Sequence, residues 1–290
     1  MIHQLDFNGL DKVDKAIMRL QTYEPTEGYY LCFSGGKDSC VIKALADMAG
    51  VKYDAHYCVT SVDHPELIRF IKEEFPDVIF DYPRDKDGNR INMWTLIPEN
   101  YMPPTRIARY CCKYLKETVV SGRLKITGVR WAESSRRKNS HGEVTFMKSK
   151  SMQKKAEELY SDIAYKLTPQ GGIALPLDNR ENAKMVETCY KHHSATVNPI
   201  IDWDDSEVWE FIREYKIPYC KLYDQGYKRL GCIGCPMSSK QKEELDNYPK
   251  YKNLYMMAFQ KMLDKRKERS IINKAGWETP QEVMDWWLQL

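Results

Sequence analysis

From Tyr29 onward the chain alternates short apolar runs with amphipathic stretches. Tyr29 to Phe33, Tyr53 to Val59 and Val78 to Phe80 read as strands, while Asp38 to Met48 and Pro65 to Phe75 carry apolar residues at helical spacing between them. This β-α-β-α-β succession predicts an α/β fold: a mostly parallel twisted sheet with helices on both faces, because parallel neighbours need crossover connections. Ligands of such sheets sit at the carboxyl ends of the strands. Before the first strand, Leu10, Val13, Ile17 and Leu20 predict an N-terminal helix with one apolar stripe. Further on, Arg109 to Val120 reads as a helix and Lys125 to Val129 as a strand. Asp204 to Tyr215 reads as a helix with an acidic first turn, and Lys240 to Arg269, then Pro280 onward, as a helical C-terminal extension ending in Trp286 and Trp287. The stretch from Arg136 to Lys155 has seven Lys or Arg against one acid, Glu143, with no strong period; it reads as a long exposed insertion.

Composition narrows the class. Of 290 residues, 42% are hydrophobic and 29% charged, which excludes a disordered or low-complexity chain. No apolar run is long enough for a membrane span, and the N-terminus has neither a basic nor an apolar export region, so a cytoplasmic protein without a membrane partner is expected. A net charge of +3 from 44 basic and 41 acidic side chains names no partner. Nine cysteines without an export signal argue against a disulfide framework. Their spacing is more telling: Cys111-Cys112 and Cys232-x-x-Cys235 are tight pairs, and two pairs suggest one four-thiolate metal or cluster site. Cys32 and Cys40 read as small buried hydrophobes, as does Cys58, and Cys189 beside His192 and His193 as part of a solvated helix.

Ser34-Gly35-Gly36-Lys37-Asp38-Ser39 follows the first strand and opens a helix, so its N–H groups are expected to converge on an anion. The glycines permit close approach, Ser34 and Ser39 donate hydroxyls, Lys37 adds a compact charge, and Asp38 is a candidate for holding Mg2+ or capping the helix. The pattern is neither the G-x-x-x-x-G-K-[ST] loop nor the dinucleotide G-x-G-x-x-G.

In this context the segment resembles the pyrophosphate loop of the N-type ATP pyrophosphatases, which split ATP between the α and β phosphates. Four later blocks resemble, in order, those of the phosphoadenosine phosphosulfate reductase branch: Arg109 to Lys113, Thr127 to Ser134, Asn198 to Trp203, and Arg229 to Pro236. The resemblance implies an adenine nucleotide alpha hydrolase-like fold, with an N-terminal helical cap over 1–27, a nucleotide-binding domain over 28–236 carrying a basic insertion at about 136–195, and a helical extension over 237–290. The Cys-Cys and Cys-x-x-Cys pairs are similar to the [4Fe-4S] motif of the adenylylsulfate reductases. Cys111, Cys112, Cys232 and Cys235 are therefore the expected cluster ligands, with zinc as the alternative and Cys220 in reserve. Adjacent cysteines suit a zinc finger poorly, since its ligands stand two to four residues apart.

Arg130, Glu133, Arg136 and Arg137 follow a strand and are expected at the sheet's carboxyl edge; in the resembled family this region contacts the nucleotide. With the loop they imply ATP and Mg2+ as ligands, and Lys37 and Asp38 as the catalytic pair. The expected function is cleavage of ATP to AMP and pyrophosphate to activate an acceptor, followed by iron-sulfur-dependent sulfur transfer from a donor protein or small thiol. A nucleic-acid acceptor, tRNA or DNA, is open. The alternatives are a sulfonucleotide reductase, whose family nucleophile lies in a C-terminal Cys-Gly segment with no counterpart after Cys235, and a non-catalytic nucleotide and cluster sensor that binds nucleic acid.

Overall fold

The first strand, Tyr29–Cys32 (β1), is buried along most of its length and needs a hydrogen-bonded neighbour on each side. It finds β2 (Tyr53–Cys58) on one side and β4 (Lys125–Ile126) on the other, both parallel, with Leu31 opposite Ala55 and Ile126. In this computed structural model, which describes residues 1–117, 122–146, 166–167, 173–175, 195–271 and 276–289, eight strands form one sheet. With β3 (Ile79–Asp81), β5 (Val144–Phe146), β6 (Lys166–Leu167), β7 (Ile173–Leu175) and β8 (Ala195–Val197), the order is β3-β2-β1-β4-β8-β5-β7-β6. Strand order reverses between β1 and β4, the point at whose carboxyl edge open α/β sheets bind their ligands.

The α/β class and the parallel centre are as the alternating pattern predicts. The far edge differs. β8 pairs parallel with β4, but β5 joins it antiparallel, followed by β7 and β6. β5 lies inside the basic stretch expected to be an exposed insertion, and Val144 and Thr145 are buried. Its partner strand lies some fifty residues away in sequence, a pairing that no local period reveals.

The chain clusters into two compact units that interleave in sequence: Met1–Tyr57, Arg69–Ile79 and Val120–Lys228 in the first, Cys58–Ile68, Phe80–Val119 and Arg229–Leu290 in the second. In the first, helix α1 (Lys12–Thr22) starts with a capping box at Asp11 and packs on α2 (Lys37–Ala49). Its Arg19, 4% exposed, reaches Glu143, Asp202 and the Pro199 carbonyl. Helix α3 (Pro65–Glu74) follows β2.

The second unit is built on helices. Helix α4 (Met93–Asn100) is followed by a single turn, α5 (Tyr110–Cys112), that widens into a π-helix over Lys113–Glu117 where one longer helix was expected. After α6 (Ser135–Ser140) and α7 (Asp205–Glu214), both in the first unit, the extension divides into α8 (Gln241–Asn247), α9 (Pro249–Glu268) and α10 (Pro280–Leu288). The break falls at Pro249, which has no N–H to continue a helix but suits the first position of a new one. Helix α9 packs on α4 and α10, burying Ile97, Phe259, Met262, Val283 and Trp287. No described helix is long and apolar enough to cross a membrane.

Candidate functional site

The turn after β1 is closed from within. Gly35 takes a φ of 70°, a region L side chains rarely adopt, and Gly36 caps α2. The Ser39 hydroxyl donates to the Gly36 carbonyl at 2.8 Å, and the Ser34 hydroxyl to Ser39 Oγ at 3.2 Å. Inward packing fixes the rest. The Lys37 backbone N–H donates to the Tyr223 hydroxyl at 3.0 Å, and burial, more than any charge, pushes that phenol's pKa up.

Beneath the loop lies a four-charge cluster. Lys37, 5% exposed, pairs through Nζ with Asp38 Oδ2 at 3.2 Å and Asp205 Oδ1 at 2.9 Å. Arg130, 3% exposed, pairs with Asp38 Oδ1 at 2.7 Å and Asp205 Oδ1 at 3.0 Å, and donates to the Trp203 carbonyl at 3.3 Å. Two cations and two carboxylates balance, which is what buried charges require. Burial tends to raise the pKa of Asp205, but the bond and charge of Lys37 and the charge of Arg130 outweigh it and leave it lowered. Gly128 makes this contact possible, since a Cβ there would stand 3.0 Å from Asp38 Cβ.

Of the residues expected to bind nucleotide, Ser34 to Ser39 thus form the loop, and Arg130 lies under it rather than on a solvent-facing turn. Asp38 is committed to Arg130 and Lys37, and Gly36, not Asp38, is the cap of α2. Glu133 braces its own turn: it accepts the Arg130 N–H at 3.1 Å and pairs with Arg137. The Arg136 side chain and all of Cys189, His192 and His193 lie outside the described residues. Asp205 and Tyr223 were not singled out from sequence. Asp205 was visible only as one acid in the first turn of α7, and nothing local marks Tyr223.

The four expected cluster ligands meet in the second unit. Cys111, Cys112, Cys232 and Cys235 line one pocket together with Thr60, Lys116 and Tyr255. The turn after β2 seats the Cys232 segment: Ile233 N–H donates to the Val62 carbonyl at 2.7 Å, and the Cys232 thiol lies 3.6 Å from Thr60 Oγ1. Cys111 and Cys112 titrate as a pair. A hydrogen bond from Cys111 and the Arg109 guanidinium, 3.5 Å away, lower the Cys112 pKa against the effect of burial, while Cys111 is raised. Burial raises the pKa of Cys232 and Cys235. That of Lys116 is raised against burial, first by its proximity to Cys232 and then by Asp63, Cys112 and Cys235. No three His, Cys, Asp or Glu side chains among the described residues are arranged to chelate a single metal ion. The thiols instead surround a shared space, and an all-thiolate set of four beside cations matches the donor chemistry of an iron-sulfur cluster. Cys220 does not line this pocket. It is buried in the first unit, where its proximity is one of the influences that raise the pKa of Cys40, and it is absent from the lining of the pocket, which corrects its place as a reserve ligand.

Comparison with known proteins gives the family of the chain. A model of the phosphoadenosine phosphosulfate reductase domain matches residues 28–238. An adenosine 5'-phosphosulfate reductase of Staphylococcus epidermidis is 24% identical over 253 residues, covering 81% of each chain. An uncharacterised protein of Methanocaldococcus jannaschii is 23% identical over 261 residues, 88% of this chain but 50% of that one, so this chain spans half the length of that relative. Among solved structures, the phosphoadenylyl-sulfate reductase of Candida auris in its phosphate complex is similar with a TM-score of 0.44 at 13% identity, covering 79% of this chain and 96% of that chain. With the domain model matched over well more than half its length, the chain belongs to the phosphoadenosine phosphosulfate reductase family.

Proposed function

We propose that the chain is an adenine-nucleotide enzyme that splits ATP between its α and β phosphates and hands the adenylyl group to an acceptor oxygen. The observation that carries this is the complete Ser34 to Ser39 loop at the head of α2, with Lys37 buried beneath it. The acceptor oxygen attacks the α phosphorus, the bond to the bridging oxygen breaks, and pyrophosphate leaves. Lys37 Nζ meets the negative charge that grows on the leaving group, an electrostatic role that needs no covalent intermediate. In the free protein, Lys37 is held by Asp205, whose side chain is 67% exposed; the incoming phosphates take over from that carboxylate. Arg130 keeps Asp38 in place while they do so. Mg2+ would be held mainly by the phosphates, with Asp205, the exposed carboxylate of the cluster, as its protein ligand once Lys37 turns to the phosphates, and it would supply charge neutralisation.

In the second stage the terminal sulfur of a persulfide, carried by a donor protein or a small thiol, attacks the activated carbon, the carbon–oxygen bond breaks and AMP leaves; a further thiol then attacks the donor sulfur, cleaving the S–S bond and leaving the donor as a disulfide and the acceptor carbon as a thiol. Cys111, Cys112, Cys232 and Cys235 are the residues that would hold a [4Fe-4S] cluster, whose chemistry when bound is electron or sulfur transfer. The adenylation reading is tested by incubating anaerobically purified protein with ATP and tRNA, DNA or small acceptors. AMP and pyrophosphate are expected; ADP and phosphate would overturn it.

A second reading, sulfonucleotide reduction, is favoured by the four gathered thiols and by what the staphylococcal relative is named for. Sulfite released from adenylylsulfate in the presence of a dithiol, with no consumption of ATP, would put it first.

A further inference from the structure

The segment that carries Cys111 and Cys112 is strongly basic. From Arg106 to Lys116 it has Arg106, Arg109, Lys113 and Lys116 and no acid; the second thiol segment opens with Arg229, three residues before Cys232 as Arg109 is before Cys112. All five are exposed. They divide by what they face. Arg109 bonds Cys112, and Lys116 lines the pocket, so these two balance thiolate charge. The other three do not. Arg106 donates only to the Pro236 carbonyl at 2.9 Å, the Lys113 ammonium lies 5.6 Å from the Tyr114 ring centre, and no carboxylate among the described residues pairs with Arg106, Lys113 or Arg229.

We propose that Arg106, Lys113 and Arg229 form a docking surface for the phosphate backbone of a single-stranded nucleic acid, the substrate class that the thiol site serves. Solvated cations without internal partners are the electrostatic footprint of a polyanion, which gains affinity from counterion release. The same segment exposes Ile107, at 96%, and Tyr114, at 38%, apolar area that a free phosphate would not cover but unstacked bases do. That the bound strand is the acceptor rests on the adenylation reading. Binding itself does not.

The test is fluorescence anisotropy of the anaerobically reconstituted full chain with a labelled single strand of about 20 nucleotides, longer than usual single-strand sites. The triple variant Arg106→Gln, Lys113→Gln, Arg229→Gln should bind at least about tenfold more weakly at about 0.1 M salt. The slope of log affinity against log salt should flatten by about 2, since each phosphate contact contributes about 0.7 on a single strand. Unchanged affinity and slope would overturn the proposal. So would displacement of the strand by polyglutamate of equal charge at equal potency, which would reassign the surface to an acidic protein. Melting temperature and ATP affinity should match those of the parent; if melting falls, Arg106→Lys with Arg229→Lys, which keep the charge, must retain binding. Lys37→Ala should lose ATP but keep the strand, so failure of the adenylation reading and failure of the docking surface give different results.

Discussion

Replacing Gly128 by alanine tests whether the phosphate loop is held by packing from the neighbouring strand. The added Cβ would stand 3.0 Å from Asp38 Cβ and 3.2 Å from the Asp38 carbonyl carbon and oxygen, closer than ordinary contacts, which begin near 3.4 Å. Two of these neighbours are backbone in the first turn of α2, so relief requires that turn to withdraw by a few tenths of an ångström. Overpacking of this kind costs about 1–3 kcal/mol. Loss of glycine freedom in the unfolded chain returns about 0.4–1 kcal/mol, leaving a net cost of about 0.5–2 kcal/mol. Withdrawal also moves Asp38 away from Arg130, to which it is bonded at 2.7 Å, and so loosens the cluster beneath Lys37. The cost should appear either as lower stability in urea denaturation or, where the loop relaxes out of shape, as ATP binding weakened about threefold to thirtyfold in titration calorimetry. Gly231→Ala is the control, because nothing lies within 4 Å of a Cβ at that position. If Gly128→Ala matched Gly231→Ala in both measurements, the close approach would not be what seats the loop.

Lys37→Ala should lower ATP turnover at least tenfold, about 1.4 kcal/mol, with AMP and pyrophosphate still the products of the residual activity; unchanged turnover in a pyrophosphate-release assay would remove Lys37 from the reaction. Anaerobically reconstituted protein should hold about four iron atoms per chain with a broad visible absorbance. Cys112→Ser and Cys232→Ser should lose them and Cys220→Ser keep them, whereas stoichiometric zinc without iron, measured by elemental analysis, would favour the other metal. Because the pKa of Asp205 is lowered in the folded state, its ion pairs add stability above the ordinary aspartate value of 3.8, and this is lost as pH falls through the folded value. Asp205→Asn should therefore be less stable than the parent at pH 6 in urea and converge with it in strong acid; a constant difference across that range would refute the assignment.

What could be read along the chain was what local chemistry imposes. Ser34 to Ser39 form a loop at a helix start because serine, two glycines and lysine in that order fit little else between an apolar run and an amphipathic one. The two cysteine pairs announced a shared site because four thiols at such spacings rarely serve packing alone. The alternation of strand and helix patterns fixed the parallel centre of the sheet in the same way.

Long-range proximity was not legible. Asp205 lies 168 positions beyond Lys37 and Tyr223 lies 186 beyond it, and nothing in their own neighbourhoods distinguishes them from a helix-start acid and a loop aromatic. Cys220 stands near Cys232 in sequence yet is buried beside Cys40, because the chain passes from one unit to the other between them. Val144 to Phe146 joined the sheet against the charge of its surroundings, since it satisfies the backbone groups along the edge of β8. The sequence alone determined which groups are candidates for chemistry, because that is a property of side chains and their immediate spacing. Tertiary structure decided which of them meet, because a buried charge or an unpaired strand edge is satisfied by whatever partner the fold brings near, however distant along the chain.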